Sequence, residues 1–247
     1  MARRTAARPA APLGKRIAVR LVEGLIGRDL RRTFRRVVWV GPEPWHGAGA
    51  TLAPDRPLVL YTNHHSFHDG YLLWLLTRRV LGRPPLLWMN EWERTPLFGP
   101  LGALPFPVHD PAQRLATIRE TARRLRERPE HVFLYFPEGE LGPPDAGVAE
   151  FSPSAFGRLA KLLPAETQWW PVGIRVTWWG EDRPTVLLGG GPPHDAPTGD
   201  EHDRLCRALD ALHDARPGDG RILVDGRPSA HERWDLARLA PLLRRWT

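Results

Sequence analysis

Compact apolar runs alternate along the chain with longer stretches in which apolar residues recur at helical spacing. The runs are typical of buried strands, and they occupy residues 57–61, 86–89, 131–136, 169–177 and 185–188. Helical periodicity covers residues 71–79, 111–128, 156–163 and 202–215. Because strands that alternate with helices indicate an α/β fold, we predict a single domain with a mixed, largely parallel central sheet flanked by helices.

The N-terminal part of the chain has a different pattern. Residues 1–14 are rich in Ala, Arg and Pro, which predicts a disordered basic tail. In residues 15–40 the apolar positions recur every four residues, at Val22, Ile26, Leu30, Phe34 and Val38. Arginines crowd the remaining positions of this segment. The pattern predicts a basic amphipathic helix lying on a membrane surface. The alternative is a helix docked on the protein's own core with a solvated basic face.

Length and composition limit what the rest of the chain can form. At 247 residues with 42% apolar content, the chain is long enough for one domain with a substantial core, which we assign to residues 41–247. The single cysteine, Cys206, excludes an intrachain disulfide, so a reducing cytosol is the expected compartment. No run approaches the roughly 18 apolar residues of a membrane span, and we expect no signal peptide.

The charge of the chain calls for a polyanionic partner, because the net charge is +7 and the pI is about 10.5. We expect no nucleic-acid binding, since the arginines follow no recognised nucleic-acid motif and the tryptophans lie largely in apolar runs. An anionic membrane surface is the preferred partner. The predicted location is therefore cytoplasmic and peripheral, on the inner face of the cell membrane.

A polar cluster between the first apolar run and the following helix is the main candidate for chemistry. It contains His64, His65, His68 and Asp69 at a strand's carboxyl end, where open α/β sheets bind their ligands. Asp69 can orient the His64 ring as a general base for attack on a carbonyl. Alternatively, the histidines bind a metal, or Ser66 and Asp69 only form a helix-capping box. Capping and catalysis are compatible.

A second polar motif ends a later apolar run. Phe136-Pro137-Glu138-Gly139 follows residues 131–135, about seventy residues after Asn63-His64 and Asp69. The ordered pair of motifs, N-H-x-x-x-x-D and F-P-E-G, resembles the motif pair of the glycerolipid acyltransferases, the family of bacterial 1-acylglycerol-3-phosphate acyltransferases. The resemblance runs from about Pro57 to Pro193 and would make residues 41–247 an acyltransferase domain.

The resemblance implies an acyl transfer from acyl-CoA or an acyl carrier protein to a lipid hydroxyl. The base falls on His64, the residue orienting it on Asp69, and the acceptor-binding positions on Glu138 and Gly139. By the same resemblance, Trp88, Trp92 and Phe98 would line the pocket that holds the acyl group, although each could instead be an ordinary core residue. Neither a metal nor a further cofactor is expected, because a thioester is already activated.

The sequence departs from that family where a phosphorylated acceptor would be held. Relatives place basic residues at the end of the second block and after F-P-E-G, whereas Val108-His109-Asp110 and Glu140-Leu141 stand here. The nearest downstream arginine is Arg114, which we keep as a candidate acceptor-binding residue. Carboxylates repel a phosphate. We therefore expect either lysophosphatidate or, in view of the missing basic residues, a non-phosphate hydroxylated or glycosylated lipid as acceptor.

Further expectations concern partners and other classes of function. The basic face of the helix over residues 111–128 is a candidate contact for an acyl carrier protein or for CoA phosphates, although a solvated face is the commoner explanation. The loop over residues 141–150 could fold over the acceptor. Two alternatives remain: a catalytically inactive lipid-binding protein, and a metal-dependent hydrolase that uses His64, His65 and His68.

Overall fold

The computed structural model describes residues 13–46, 51–216 and 218–230. Within these ranges the α-helices are α1 (Leu13–Thr33), α2 (Asp69–Leu75), α3 (Pro111–Glu127), α4 (Pro153–Ala160) and α5 (Glu201–Asp210). The strands of the same ranges are β1 (Arg36–Trp39), β2 (Leu58–Thr62), β3 (Pro85–Met89), β4 (Ala103–Pro105), β5 (Val132–Tyr135), β6 (Gln168–Thr177), β7 (Thr185–Gly190) and β8 (Arg221–Asp225). A π-helical segment, Leu76–Val80, continues α2, and a 3₁₀ helix, Pro96–Leu101, precedes β4.

The described strands form one mixed sheet in the order β4-β3-β5-β2-β6-β7-β1-β8. The first five strands of this order pair in parallel, and β7 is also parallel to β1. Antiparallel pairing joins β6 to β7 and β1 to β8. The predicted α/β fold with a mixed, largely parallel sheet is therefore confirmed.

Helices cover both faces of the sheet, so every residue of the central strand β2 is buried. Leu58 and Leu60 pack in the cluster that includes α1 and α2, whereas Val59 and Tyr61 pack with α3, α4 and α5. This division follows from the two-residue period of a strand, which turns successive side chains to opposite faces. The polar residues after β2 thus begin at the carboxyl end of a central strand, in a sheet that is apolar on both faces.

Helix α1 ends at Thr33, so the prediction of one helix over residues 15–40 is wrong in its last third. Residues Arg36–Trp39 form β1 instead, between β7 and β8. Consecutive valines followed by a tryptophan favour a strand once a neighbouring edge is available for pairing. The predicted tail, residues 1–14, lies outside the described residues except for its last two positions, which belong to α1.

The apolar residues of α1 divide into two stripes. The apolar residues that recur every four positions and suggested membrane contact are buried against the protein's own core; they are Val22, Ile26, Leu30 and Phe34. The alternative expectation of a docked helix therefore describes these residues. A second set, here called the outward stripe, consists of Ile17, Leu21 and Leu25, whose exposed fractions are 51%, 65% and 60%. Exposed arginines, among them Arg28 and Arg32, continue the same side of the helix.

Two strands had no counterpart among the predicted elements. Strand β4 has three residues and ends in Pro105, and β8 is a partly exposed edge strand without clear alternation. Both depend on pairing with distant segments more than on their own pattern. Of the C-terminal region, residues 231–247 lie outside the described residues. None of the described helices combines the length and the apolar character needed to cross a membrane.

Candidate active site

Two polar loops meet at one edge of the sheet. The histidine loop, residues 63–68, follows β2, and the F-P-E-G turn, residues 136–139, follows β5. Strands β2 and β5 are parallel neighbours, with Tyr61 opposite Tyr135. Both loops therefore leave the sheet at its carboxyl edge, side by side, as in ligand sites of open α/β sheets.

The His64 ring is hydrogen-bonded to the Asp69 carboxylate, with 3.0 Å between His64 Nδ1 and Asp69 Oδ2. Because an ionised carboxylate only accepts hydrogen bonds, the proton of this bond lies on Nδ1. In the neutral ring, Nε2 is then the nitrogen that can take up a proton. The ring lies on Phe136, with 4.2 Å between the two ring centroids. This is the arrangement of an oriented general base.

Asp69 is buried in the first turn of α2 and serves more than the His64 ring. Its Oδ2 also accepts the backbone N–H groups of His65 and Ser66, both at 2.8 Å. One carboxylate thus closes the loop and holds the imidazole, and its bond to the Ser66 N–H supplies one half of the predicted capping box. The hydroxyl of Ser66 accepts the His68 N–H at 3.1 Å, which further fixes the loop.

Glu138 lies beside the His64 backbone. Its Oε2 accepts the His64 N–H at 3.4 Å, while Oε1 is buried and has no hydrogen-bond partner among the described residues. Burial raises the pKa of the Glu138 carboxyl, and the Asp69 carboxylate adds to the rise, against the lowering effect of His65 and His64. Gly139 follows with φ of +80°, a left-handed conformation that favours glycine. The F-P-E-G turn therefore brings one unpaired carboxyl oxygen close to His64.

Asn63 fixes the start of the histidine loop to β6, a role that sequence reasoning missed. Its side-chain oxygen accepts the Ile174 N–H at 2.8 Å, and its amide donates to the Ile174 carbonyl at 2.9 Å. The two bonds extend the contact between the parallel strands β2 and β6 past the last backbone pair, with the Asn63 side chain in place of a strand residue. The sequence shows an Asn directly after a buried strand, but it does not show that the neighbouring strand offers the backbone groups to which this side chain bonds.

The loop over residues 141–150 is tied to the histidine loop at two points. The Gly142 N–H donates to the His64 carbonyl at 2.8 Å, and His65 Nε2 lies 2.9 Å from the Gly147 carbonyl. His65 Nδ1 lies 3.0 Å from the Asn63 amide nitrogen, which donates to it. His65 therefore connects the two loops, accepting at Nδ1 from Asn63 and donating from Nε2 to the Gly147 carbonyl.

A cavity of about 400 Å³ opens beside His64. This volume lies within the range of small-ligand sites, roughly 300–1,000 Å³. Its wall is mainly apolar and includes both Trp88 and Phe98, as well as Gly139. An apolar cavity next to an oriented imidazole can hold a hydrocarbon chain within reach of the base.

Four residues predicted for the site do not line this cavity, namely Asp69, Glu138, Trp92 and Arg114. The Trp92 ring lies over Gly99, so close that a Cβ there would be 2.9 Å from it. Arg114 is exposed at the start of α3, with its guanidinium 4.5 Å from the centroid of the Phe106 ring. Phe106 in turn stacks on Trp88. Arg114 thus lies on Phe106, which in turn lies on Trp88 of the cavity wall, and is not part of that wall itself.

The charged residues that line the cavity are acidic. Among the described lining residues are Glu91 and Glu140, and none is lysine or arginine. The guanidinium groups that a phosphate dianion would require are therefore missing from this wall.

The three histidines of the loop do not converge. His64 pairs with Asp69, His65 with Asn63 and Gly147, and His68 Nε2 with Asp29 Oδ2 at 3.1 Å. Within the described part of the chain, no group of three or more His, Cys, Asp or Glu side chains is placed to hold a metal ion.

The basic face of α3 is partly neutralised by its own carboxylates. Arg123 pairs with Glu120 and Glu127, and Arg124 also pairs with Glu120. Hydrogen bonds from Arg123 and Arg124 lower the pKa of Glu120 to about 2. The part of the face around these residues is thus a solvated ion-pair surface.

Comparisons with known proteins do not assign the chain to a family. No protein-family model matches it, and no curated protein sequence is significantly similar to it.

Proposed function

We propose that the protein is an O-acyltransferase that moves a fatty acyl group from acyl-CoA or an acyl carrier protein to the hydroxyl of a lipid. The observation that carries this proposal is the His64–Asp69 hydrogen bond beside an apolar cavity. The motif resemblance to the glycerolipid acyltransferases agrees with it. Glu138, next to the His64 backbone, fits the position of the family's acceptor-binding glutamate.

In the proposed reaction, His64 Nε2 takes the proton of the acceptor hydroxyl as that oxygen attacks the thioester carbonyl carbon. The tetrahedral intermediate collapses with cleavage of the C–S bond, and the imidazolium returns the proton to the leaving thiolate. The products are an ester and a free thiol. Asp69 keeps the ring in the productive tautomer and stabilises the transient imidazolium.

The acidic wall favours an acceptor without a phosphate. Glu91 and Glu140 would repel a lysophosphatidate headgroup, whereas hydroxyl groups can donate hydrogen bonds to them. A hydroxylated or glycosylated neutral lipid is therefore the preferred acceptor, and lysophosphatidate is the second candidate.

We further propose that the protein works at the cytoplasmic face of the cell membrane, bound to anionic lipid through α1. The proposal now rests on the outward stripe with Arg28 and Arg32, not on the buried stripe. Exposed apolar residues flanked by arginines suit an anionic bilayer surface. Leu25 and the two arginines border a groove that shares Ile26, Tyr71 and Phe98 with the wall of the cavity.

Acyl-CoA consumption against a panel of hydroxyl lipids, with the product identified by mass spectrometry, tests the proposal. The panel contains lysophosphatidate, a monoglycosyl lipid and a neutral hydroxylated lipid. Ester formation with a neutral acceptor at a higher kcat/KM than with lysophosphatidate is expected. Fatty-acid binding without turnover on any acceptor would instead support the inactive lipid-binding alternative.

A further inference from the structure

A hydrogen-bonded pair joins helix α1 to the histidine loop. Asp29, in the last turns of α1, lies with Oδ2 3.1 Å from His68 Nε2. His68 immediately precedes Asp69 and is the N-cap residue of α2, where its own side chain makes no capping bond. The His68 ring is instead directed to Asp29 of α1, and it also packs edge-on against Phe34, the residue after this helix, with 5.2 Å between the ring centroids.

The position of His68 determines the position of Asp69 through the backbone. Three bonds converge on Asp69 Oδ2, from the His64 ring and from the N–H groups of His65 and Ser66. Each donor lies within five residues of Asp69, so a displacement of the peptide at His68 changes the geometry of the whole set. An anchor on His68 is therefore well placed to keep the His64 ring aligned.

We propose that Asp29 is a positioning residue, which acts through His68 to hold Asp69 and the His64 ring in register. The inference rests on the proposed function for its kinetic meaning, but the alignment itself is a structural property. It makes α1 part of the catalytic unit, although the three bonds described at Asp69 Oδ2 come from the histidine loop and not from α1. Asp29 is nearly half exposed, so its contribution to global stability is small.

The chain provides a matched control for this pair. Glu23, one and a half turns earlier in α1, lies with Oε1 3.3 Å from Arg78 Nε, in the continuation of α2. Both pairs join α1 to the same helical segment, but Glu23 and Arg78 lie away from the histidine loop. Glu23→Gln and Asp29→Asn remove the negative charge from the same kind of pair at different distances from Asp69.

The kinetics of Asp29→Asn and Glu23→Gln show whether Asp29 positions the catalytic pair or only attaches α1 to the rest of the protein. Asp29→Asn is expected to lower kcat about tenfold with KM for acyl-CoA little changed, because small misplacements of a base are costly. Glu23→Gln is expected to leave kcat within about twofold of wild type. His68→Phe keeps the aromatic packing and loses the hydrogen bond altogether, so it should lower kcat at least as much as Asp29→Asn. The double variant should lose no more than His68→Phe alone.

A spectroscopic measurement makes the test independent of turnover. The His64 Nδ1 proton in the bond to Asp69 is observed by proton NMR in wild type and in both α1 variants. Asp29→Asn should shift or broaden this resonance, while Glu23→Gln should not. Equal kcat values for the two variants together with an unchanged resonance would overturn the proposal. If wild type transfers no acyl group, the proposed function fails and the resonance alone decides whether Asp29 positions the pair.

Discussion

The cavity beside His64 and the outward stripe of α1 are both apolar, yet the charges that accompany them have opposite signs. Glu91 and Glu140 line the cavity, whereas Arg28 and Arg32 continue the stripe. The excess of basic residues that gives the chain its charge of +7 is therefore carried in part by an outer surface and not by the cavity wall. The overall charge of such a chain indicates which partner its outer surface binds, whereas the local charge at the cavity indicates which ligand the site binds.

The largest expected effect on the cavity side comes from Asp69→Asn. An amide can donate to Nδ1 and stabilise the wrong tautomer, so kcat should fall by about a thousandfold. Acyl-CoA turnover with the best acceptor measures this. Asp55→Asn, at an exposed position, is the matched control and should retain wild-type kcat. A variant at Asp69 that retains more than about a tenth of the activity would contradict the assigned role.

On the stripe side, Leu21→Glu combined with Leu25→Glu should weaken binding to anionic liposomes by about a hundredfold or more. Burying one leucine side chain is favourable by about 2 kcal/mol, and added carboxylates meet a negative surface. Flotation or sedimentation of liposomes measures the affinity. The control replaces Leu115 and Leu162, which are also exposed but lie on α3 and after α4. Equal loss in both double variants would place the lipid contact elsewhere.

A smaller effect is expected for the arginines that continue the outward stripe. Replacing Arg28 and Arg32 by Gln should lower affinity for anionic liposomes about fivefold per residue and reduce its dependence on salt. Turnover of a short-chain acceptor in solution should be unchanged, because neither residue lines the cavity. Arg119→Gln with Arg126→Gln on α3 is the control. Altered turnover in the α1 variant would break the separation between the two regions.

The smallest expected effect concerns the stability contribution of Glu138. Burial raises the pKa of its carboxyl in the folded state, so the folded protein binds the proton more readily than the unfolded chain. This contribution to stability is fully present below the unfolded pKa and is lost as pH rises through the folded pKa. Glu138→Gln should therefore raise Tm by a few degrees at most near pH 7, and the difference should vanish on acidification. Thermal unfolding of wild type and variant, followed by circular dichroism at pH 7 and at an acidic pH below the unfolded pKa, measures this difference in Tm.

The sequence was most informative where the determinants are local. His64 and Asp69 lie five residues apart, and the polar cluster followed an unmistakable buried strand, so their pairing was predictable. Likewise, Glu138 followed a second strand, and parallel pairing of the two strands brings it to the same edge.

Long-range contacts explain what the sequence could not predict. Four-residue spacing in α1 identifies an apolar face but not what covers it, and the stripe from Val22 to Phe34 is covered by the core. Strand β1 required the distant edges of β7 and β8. The contact between Asp29 and His68 joins residues 39 positions apart, with no motif to mark it. Trp92 and Arg114 had suitable chemistry, but their elements place them off the cavity wall.

The most direct test of the central claim is turnover of acyl-CoA by His64→Ala in the presence of the best acceptor from the lipid panel. Because the claim makes Nε2 of His64 the base, kcat should fall by about a thousandfold or more. His46→Ala, which removes an exposed histidine away from the cavity, should retain the wild-type value. Turnover by His64→Ala within about tenfold of wild type would contradict the claim, whatever the acceptor proves to be.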